Sequence, residues 1–208
     1  MSYRPVRLLL YFSFAFLLSG FTNSLVNPPT VEPSHEQLLS GKPFIYRIEP
    51  EPRGGQAYKM IYIVPVPIEV FWRFKTDFHG DFVSTNKYVE EQTVIREEKN
   101  LVIIENKLTN QPGTRFRWLN ILHPRQHRLE FVLENPNQSG QRFHYGYFQL
   151  EPFGPNTKVS HAAYFDFFGA SLWATFPWQG GMHAFLDYIA RWEQKTIVKV
   201  KNDYNQGY

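Results

Sequence analysis

The sequence predicts an α+β fold, a curved antiparallel sheet of about six to seven strands wrapped round one long C-terminal helix. Three observations predict it. From Tyr88 to Phe168, short runs of β-branched and aromatic residues alternate with turn formers, and no helical period intervenes, which is the pattern of a meander. From Met182 the period changes: Phe185, Ile189 and Trp192 form one line, with Met182, Leu186, Ala190 and Ile197 beside it. Between the two, KVSHAAYFDFF splits into alternating rows, with Val159, His161, Ala163, Phe165 and Phe167 on the inward row. A helix stripe and a sheet face each need an apolar partner, and laying one on the other satisfies both.

The chain begins with a targeting pattern. Arg4 and Arg7 precede the uncharged run Leu8 to Phe21, about 14 residues, where a membrane span needs about 20. Residues 1–24 are therefore read as a signal peptide or short membrane anchor, with Thr22 and Ser24 as the small residues of a cleavage site. Residues 25–56 carry Pro28, Pro29, Pro33, Pro43, Pro50 and Pro52 and then Gly54-Gly55, the composition of a linker, with Phe44 to Glu49 as one optional strand.

The compact domain is expected over residues 57–200. Ala57 to Val64 reads as a strand, Pro65 and Pro67 stop it, and Ile68 to Lys75 makes a short helix with Phe71, Trp72 and Phe74 inward. Thr76 to Lys87 is a loop with one helical turn around Gly80 to Val83. Strands follow over Tyr88–Arg96, Leu101–Leu108, Arg115–Leu122, Arg128–Leu133, Phe143–Leu150 and Val159–Phe168. In the third of these, Phe116, Trp118 and Asn120 alternate with Arg117, Leu119 and Ile121; in the fourth, Leu129, Phe131 and Leu133 alternate with Arg128, Glu130 and Val132. The aromatic connection Ala170 to Gly181 leads into the helix, and residues 201–208 form a polar tail.

Composition narrows the function classes. The formal charge of +3 falls to about +1 if Arg4 and Arg7 leave with a signal, and no basic cluster interleaves with aromatics, so nucleic acid is not an expected partner. The absence of cysteine removes disulfides, thiolate metal sites, cysteine nucleophiles and a lipoprotein anchor. Export without disulfides fits a bacterial periplasm, with inner-membrane attachment through the N-terminus as the other form. Aromatic content is high at 17%, with 19 Phe, 12 Tyr and 5 Trp, enough to fill a core or to line a cavity.

The segment Val66-Pro67-Ile68-Glu69-Val70-Phe71-Trp72 followed by Asp77, the hairpins from Tyr88, and the helix ending Ala190-Arg191-Trp192-Glu193 together resemble the START-like (SRPBCC, helix-grip, polyketide cyclase-like) superfamily. The resemblance covers Ala57 to Val200. It implies a hydrophobic cavity between sheet and C-terminal helix, and a ligand of the lipid, sterol, quinone or polyketide-like kind. Some members are enzymes and many are carriers or binding modules. The signal-like N-terminus departs from the usual cytoplasmic member and argues against roles such as ribosome association.

On that footing the candidate ligand-binding residues are Trp72, Trp118, Phe131, Phe148, His161, Phe165, Phe167, Trp173, Phe176, Trp178, Met182, Phe185 and Ile189. The bland alternative is that Phe116 and the other rings simply pack one another. Asp166 falls on the outward row, where a cross-strand partner is the expected role, and His161 is either a satisfied core histidine or a ligand contact. His123 and His127 flank Pro124 in a turn, while His79 and Asp81 lack a third ligand, so no metal is expected. Arg115 and Arg117 are candidates for acidic ligand groups or for cross-strand pairing, and Gly180-Gly181 for a carboxylate at a helix start or a tight turn. No nucleophile elbow, phosphate loop or dinucleotide fingerprint occurs, so no catalytic residue and no cofactor is assigned. The expectation is a non-enzymatic binding or carrier domain for a hydrophobic small molecule. The alternatives are a cyclase, dehydratase or isomerase using His161 or Asp166, and an envelope interaction module.

Overall fold

A computed structural model describes residues 32–50, 52, 54–109, 111–167 and 181–205, without the side chains of Pro112 and Phe167. The element order is α1 (His35–Leu39), β1 (Phe44–Arg47), β2 (Gln56–Val64), α2 (Ile68–Thr76), β3 (Val89–Glu98), β4 (Leu101–Leu108), β5 (Gln111–His123), β6 (Arg128–Leu133), β7 (Gln141–Phe153), β8 (Asn156–Phe167) and α3 (Gly181–Asn205). Short 3-10 turns lie at Asp81–Thr85, Pro124–Gln126 and Pro136–Ser139.

The eight strands form one antiparallel sheet in the order β1-β2-β8-β7-β6-β5-β4-β3. The chain leaves β2 through α2, enters at the far edge with β3, and returns hairpin by hairpin until β8 pairs with β2. The fold class is the expected one, with one strand more than the six to seven anticipated, because the optional strand in the proline-rich stretch is part of the sheet. Register shifts within β3·β4, β4·β5 and β7·β8 mark bulges, each of which bends its strand and curls the sheet. The β3 edge is short of apolar residues and rich in glutamate, which discourages pairing with another chain.

The proline-rich stretch does more than tether. Ser34 and Gln37 form a reciprocal capping box that starts α1, and Glu32 pairs with Lys59 at 3.0 Å and Lys158 at 3.4 Å. Leu38 is buried against Ile61 and Ile63, with Tyr46 and Phe153 alongside. This explains why β2 reads as a nearly unbroken apolar run: one face meets α1 and the other meets the main core. At the other end, α3 continues through Asn205, so most of the expected polar tail is helix. Tyr204 there donates to Oδ2 of Asp77 at 2.7 Å and meets the Phe74 ring edge-on at 5.9 Å.

The main core joins α2, α3 and the inner face of β2, β6, β7 and β8, with Tyr62, Phe71, Phe74, Val159, Phe165 and Ile197 almost fully buried. The alternation in β5 and β6 holds: Phe116, Leu129, Phe131 and Leu133 are buried while Val132 is exposed. Gly146 is required where it is. A Cβ there would lie 2.1 Å from the Ala162 carbonyl oxygen and 2.7 Å from Cζ of Phe131, so the missing side chain is what admits the Phe131 ring. No helix among the described residues is long and apolar enough to cross a membrane. The expected signal or anchor at residues 1–24 lies outside the described residues.

Candidate functional site: a cavity under the C-terminal helix

Between the inner face of the sheet and α3 lies a cavity of about 320 Å3. Every layer of the fold contributes to its wall: Phe74 and Lys75 from α2, Gln92 from β3, Ile104 and Asn106 from β4, Trp118 and Asn120 from β5. Leu129 and Phe131 from β6, His144 and Phe148 from β7, and His161, Ala163 and Phe165 from β8 continue it. The helix closes it with Met182, Phe185, Leu186, Ile189, Trp192 and Glu193, and the 3-10 turn adds Phe82 and Val83. A cavity of this size with an apolar wall and a few polar groups is the usual form of a small-molecule site.

Eight of the sequence candidates line it: Trp118, Phe131, Phe148, His161, Phe165, Met182, Phe185 and Ile189. Trp72 does not, which corrects its assignment. It lies two residues from Phe74, about 200° round the helix, and its buried ring meets His127 edge-on at 5.7 Å. Trp173, Phe176, Trp178 and Gly180 lie outside the described residues, as does the side chain of Phe167.

One polar cluster at the wall centres on Glu193. This carboxylate is 2% exposed, and it accepts from the Tyr62 hydroxyl through Oε2 and from the Lys75 ammonium through Oε1. Burial, and then the neighbouring Glu193 charge, push the Tyr62 hydroxyl far above its ordinary pKa, so it remains a donor. Lys75 Nζ also lies 3.5 Å from the centroid of the Phe148 ring, a close cation–π contact. None of these three polar residues is among the sequence candidates, although Glu193 falls on the apolar stripe of α3, seven residues after Leu186. Lys75 likewise follows Phe71 by one helical turn.

Two histidines complete the site. His161 is 9% exposed, stacks on Phe148 at 4.0 Å and meets Phe131 at 5.7 Å, and neither ring nitrogen has a hydrogen-bond partner among the described residues. Burial first, then the Lys75 charge, hold its pKa well below 6.5, so the ring is neutral. His144 shares the inward parity of Phe148 on β7; its Nδ1 donates to Oε1 of Gln141 at 3.1 Å and its ring meets Trp118 edge-on at 5.0 Å. Burial lowers its pKa to about 3. Oδ1 of Asn106, also on the wall, is buried without a partner among the described residues.

The remaining polar candidates lie elsewhere. Asp166 pairs with Arg142 at 3.4 Å, and Arg115 and Arg117 reach Glu105 across the β4–β5 ladder at 3.4 Å and 3.0 Å. His79 meets Glu97 at 3.0 Å, His123 lies 3.7 Å from Glu130, and His127 meets Glu69 at 2.9 Å, three separate surface pairs. Among the described residues no three metal-ligating side chains come together.

No family model matches the sequence, and no curated protein matches it. Solved structures do match in fold. A START superfamily protein from Mycobacterium smegmatis superposes with a TM-score of 0.54 at 10% identity, over 71% of this chain and 99% of that one. Human StAR-related lipid transfer protein 5 gives 0.56 at 15% identity, over 76% and 83%. Norcoclaurine synthase from Thalictrum flavum, solved in complex with dopamine and hydroxybenzaldehyde, gives 0.52 at 9% identity, over 86% and 96%. At these identities the likeness shows the fold alone, and that fold is a helix-grip arrangement, an antiparallel sheet wrapped round a long C-terminal helix.

Proposed function

We propose that the domain binds a hydrophobic small molecule of the lipid, quinone or polyketide-like kind between the sheet and α3, as a carrier or binding module. The observation that carries this reading is the cavity itself. A wall of Trp118, Phe131, Phe148, Phe165, Phe185 and Ile189 that merely packed would leave no space, whereas about 320 Å3 remains. The structural neighbours add support: one is a lipid transfer protein, and another is solved with two aromatic compounds. The test is organic extraction of purified protein followed by mass spectrometry, with a binding panel of lipids, quinones and polycyclic aromatics. A co-purifying apolar compound, or panel binding that competes with it, is expected. No extracted compound and no panel binding would overturn the reading.

A cyclase-, dehydratase- or isomerase-type reaction in the same cavity is the second reading. Asp166 does not serve it, being paired with Arg142 away from the wall. What favours it is the placement of His161 beside the Lys75–Glu193–Tyr62 cluster, since acid–base chemistry needs such groups in an apolar site. Turnover of a bound compound, lost in His161→Leu, would establish it.

We also propose export, with residues 1–24 as signal or inner-membrane anchor, on the strength of Arg4, Arg7 and the uncharged run after them. Cell fractionation of the full chain tests it: a cytosolic, full-length product would contradict it.

A further inference from the structure

The polar groups of the cavity fall into two kinds, those already matched and those left open. Lys75 and Glu193 are paired to one another, and the second oxygen of Glu193 is taken by Tyr62. Asp77, also on the wall, has Oδ2 engaged by the Tyr204 hydroxyl and Oδ1 by the backbone N–H of His79. The charges on the wall therefore have partners inside the protein, and they comprise one cation against two carboxylates. An anionic ligand would have to displace Glu193 from Lys75 or lie beside it, and a cationic one at that end would face Lys75. Burying an unmatched charge is far more costly than burying a neutral polar group.

The open groups are His161 and Asn106. A neutral imidazole carries one donor and one acceptor, and among the described residues both are unpartnered, as is Oδ1 of Asn106. Buried polar atoms are rarely left so, and both residues lie on the wall of an apolar cavity, His161 against the Phe131 and Phe148 rings. A hydroxyl both donates and accepts, so it suits the imidazole, and a hydroxyl proton also suits the Asn106 carbonyl. The volume sets the scale: at about 30 Å3 for a water, and less for bonded atoms, the space takes on the order of ten to fifteen non-hydrogen atoms.

We infer that the cavity selects a compact, uncharged aromatic or polycyclic molecule bearing a hydroxyl group, held by His161, and rejects carboxylates. The inference rests on the cavity-binding reading above and narrows its ligand.

Four probes of one shape test it: naphthalene, 2-naphthol, 2-naphthoate and 2-naphthylmethylammonium, titrated at neutral pH against the full chain. 2-Naphthol is expected to bind about tenfold tighter than naphthalene, and both charged probes at least about tenfold weaker than 2-naphthol. His161→Leu should reduce 2-naphthol to the affinity of naphthalene while leaving naphthalene bound, which also shows that the variant folds. His161→Gln, which keeps a donor and an acceptor, should retain part of the preference. If naphthalene binds but 2-naphthol has no advantage, or if 2-naphthoate or the ammonium probe binds as tightly as 2-naphthol, the selectivity is overturned and the cavity reading survives. If none of the four binds, the selectivity is overturned, and the extraction and lipid panel decide the cavity reading.

Discussion

Replacing Glu193 by leucine removes the acceptor shared by Tyr62 and Lys75, and its cost can be worked from the contacts. The Lys75 side chain is 13% exposed, so its ammonium would remain largely buried beside Phe148 without a counterion. Truncating one partner of a buried pair costs about 3–5 kcal/mol. The Tyr62 hydroxyl, fully buried, would also lose its acceptor, worth about 1–3 kcal/mol. The two losses share one residue and are not additive, so Glu193→Leu should lower the unfolding free energy by about 4 kcal/mol. That is a large part of the about 5–15 kcal/mol available to a domain. The triple variant Tyr62→Phe, Lys75→Met, Glu193→Leu strands no polar group and should recover to within about 1–2 kcal/mol of the parent. Urea unfolding followed by tryptophan fluorescence measures all three proteins, read as midpoints at a common slope. A loss below about 1 kcal/mol for Glu193→Leu, or a triple variant no more stable than the single one, would refute the buried network.

Three further outcomes are expected. His144, with its pKa lowered to about 3, stays neutral in the folded protein, while in the unfolded chain it protonates near its ordinary 6.5. Between those values the unfolded chain holds more protons, so stability falls as pH drops, by up to about 1.4 kcal/mol per unit for each such histidine, His161 included. Comparing urea midpoints at about pH 7.5 and about pH 5.5 should show a smaller loss in His144→Phe than in the parent; equal losses would contradict the assignment. Gly146→Ala forces a methyl group against the Ala162 carbonyl and the Phe131 ring and should cost about 1–3 kcal/mol or more, seen as a lowered melting temperature. Arg117→Ala removes an exposed cation and leaves Glu105 paired with Arg115, so its urea midpoint should move by less than about 1 kcal/mol in free energy.

The parts of the fold legible in the sequence were those where one period dominates. β5 and β6 each bury one face, so Phe116, Leu129, Phe131 and Leu133 fell on the correct row. The stripe of α3 was equally plain. α1 was not, because five residues between prolines carry too little period to read, and its role depends on the distant β2 face that it covers. The apolar wall followed from strand parity, and His144 would have followed too, since it shares parity with Phe148. Residue type alone puts Trp72 among the candidates, whereas its place round α2 turns it toward His127. Lys75 and Glu193 escape a reading by residue type because charged residues usually face water. Their positions on apolar stripes were the available signal, and only the structure shows that the two are each other's partner.

The account stands on an apolar molecule being held under α3. Proton NMR of the full chain saturated with naphthalene measures this directly, through nuclear Overhauser contacts between the ligand and side-chain methyl groups. The account predicts contacts to Ile104, Leu129, Met182, Leu186 and Ile189, all on the cavity wall, and none to the exposed Leu39, Ile95, Val132 and Val198. Contacts confined to the exposed set, or no contacts at saturation, would contradict it.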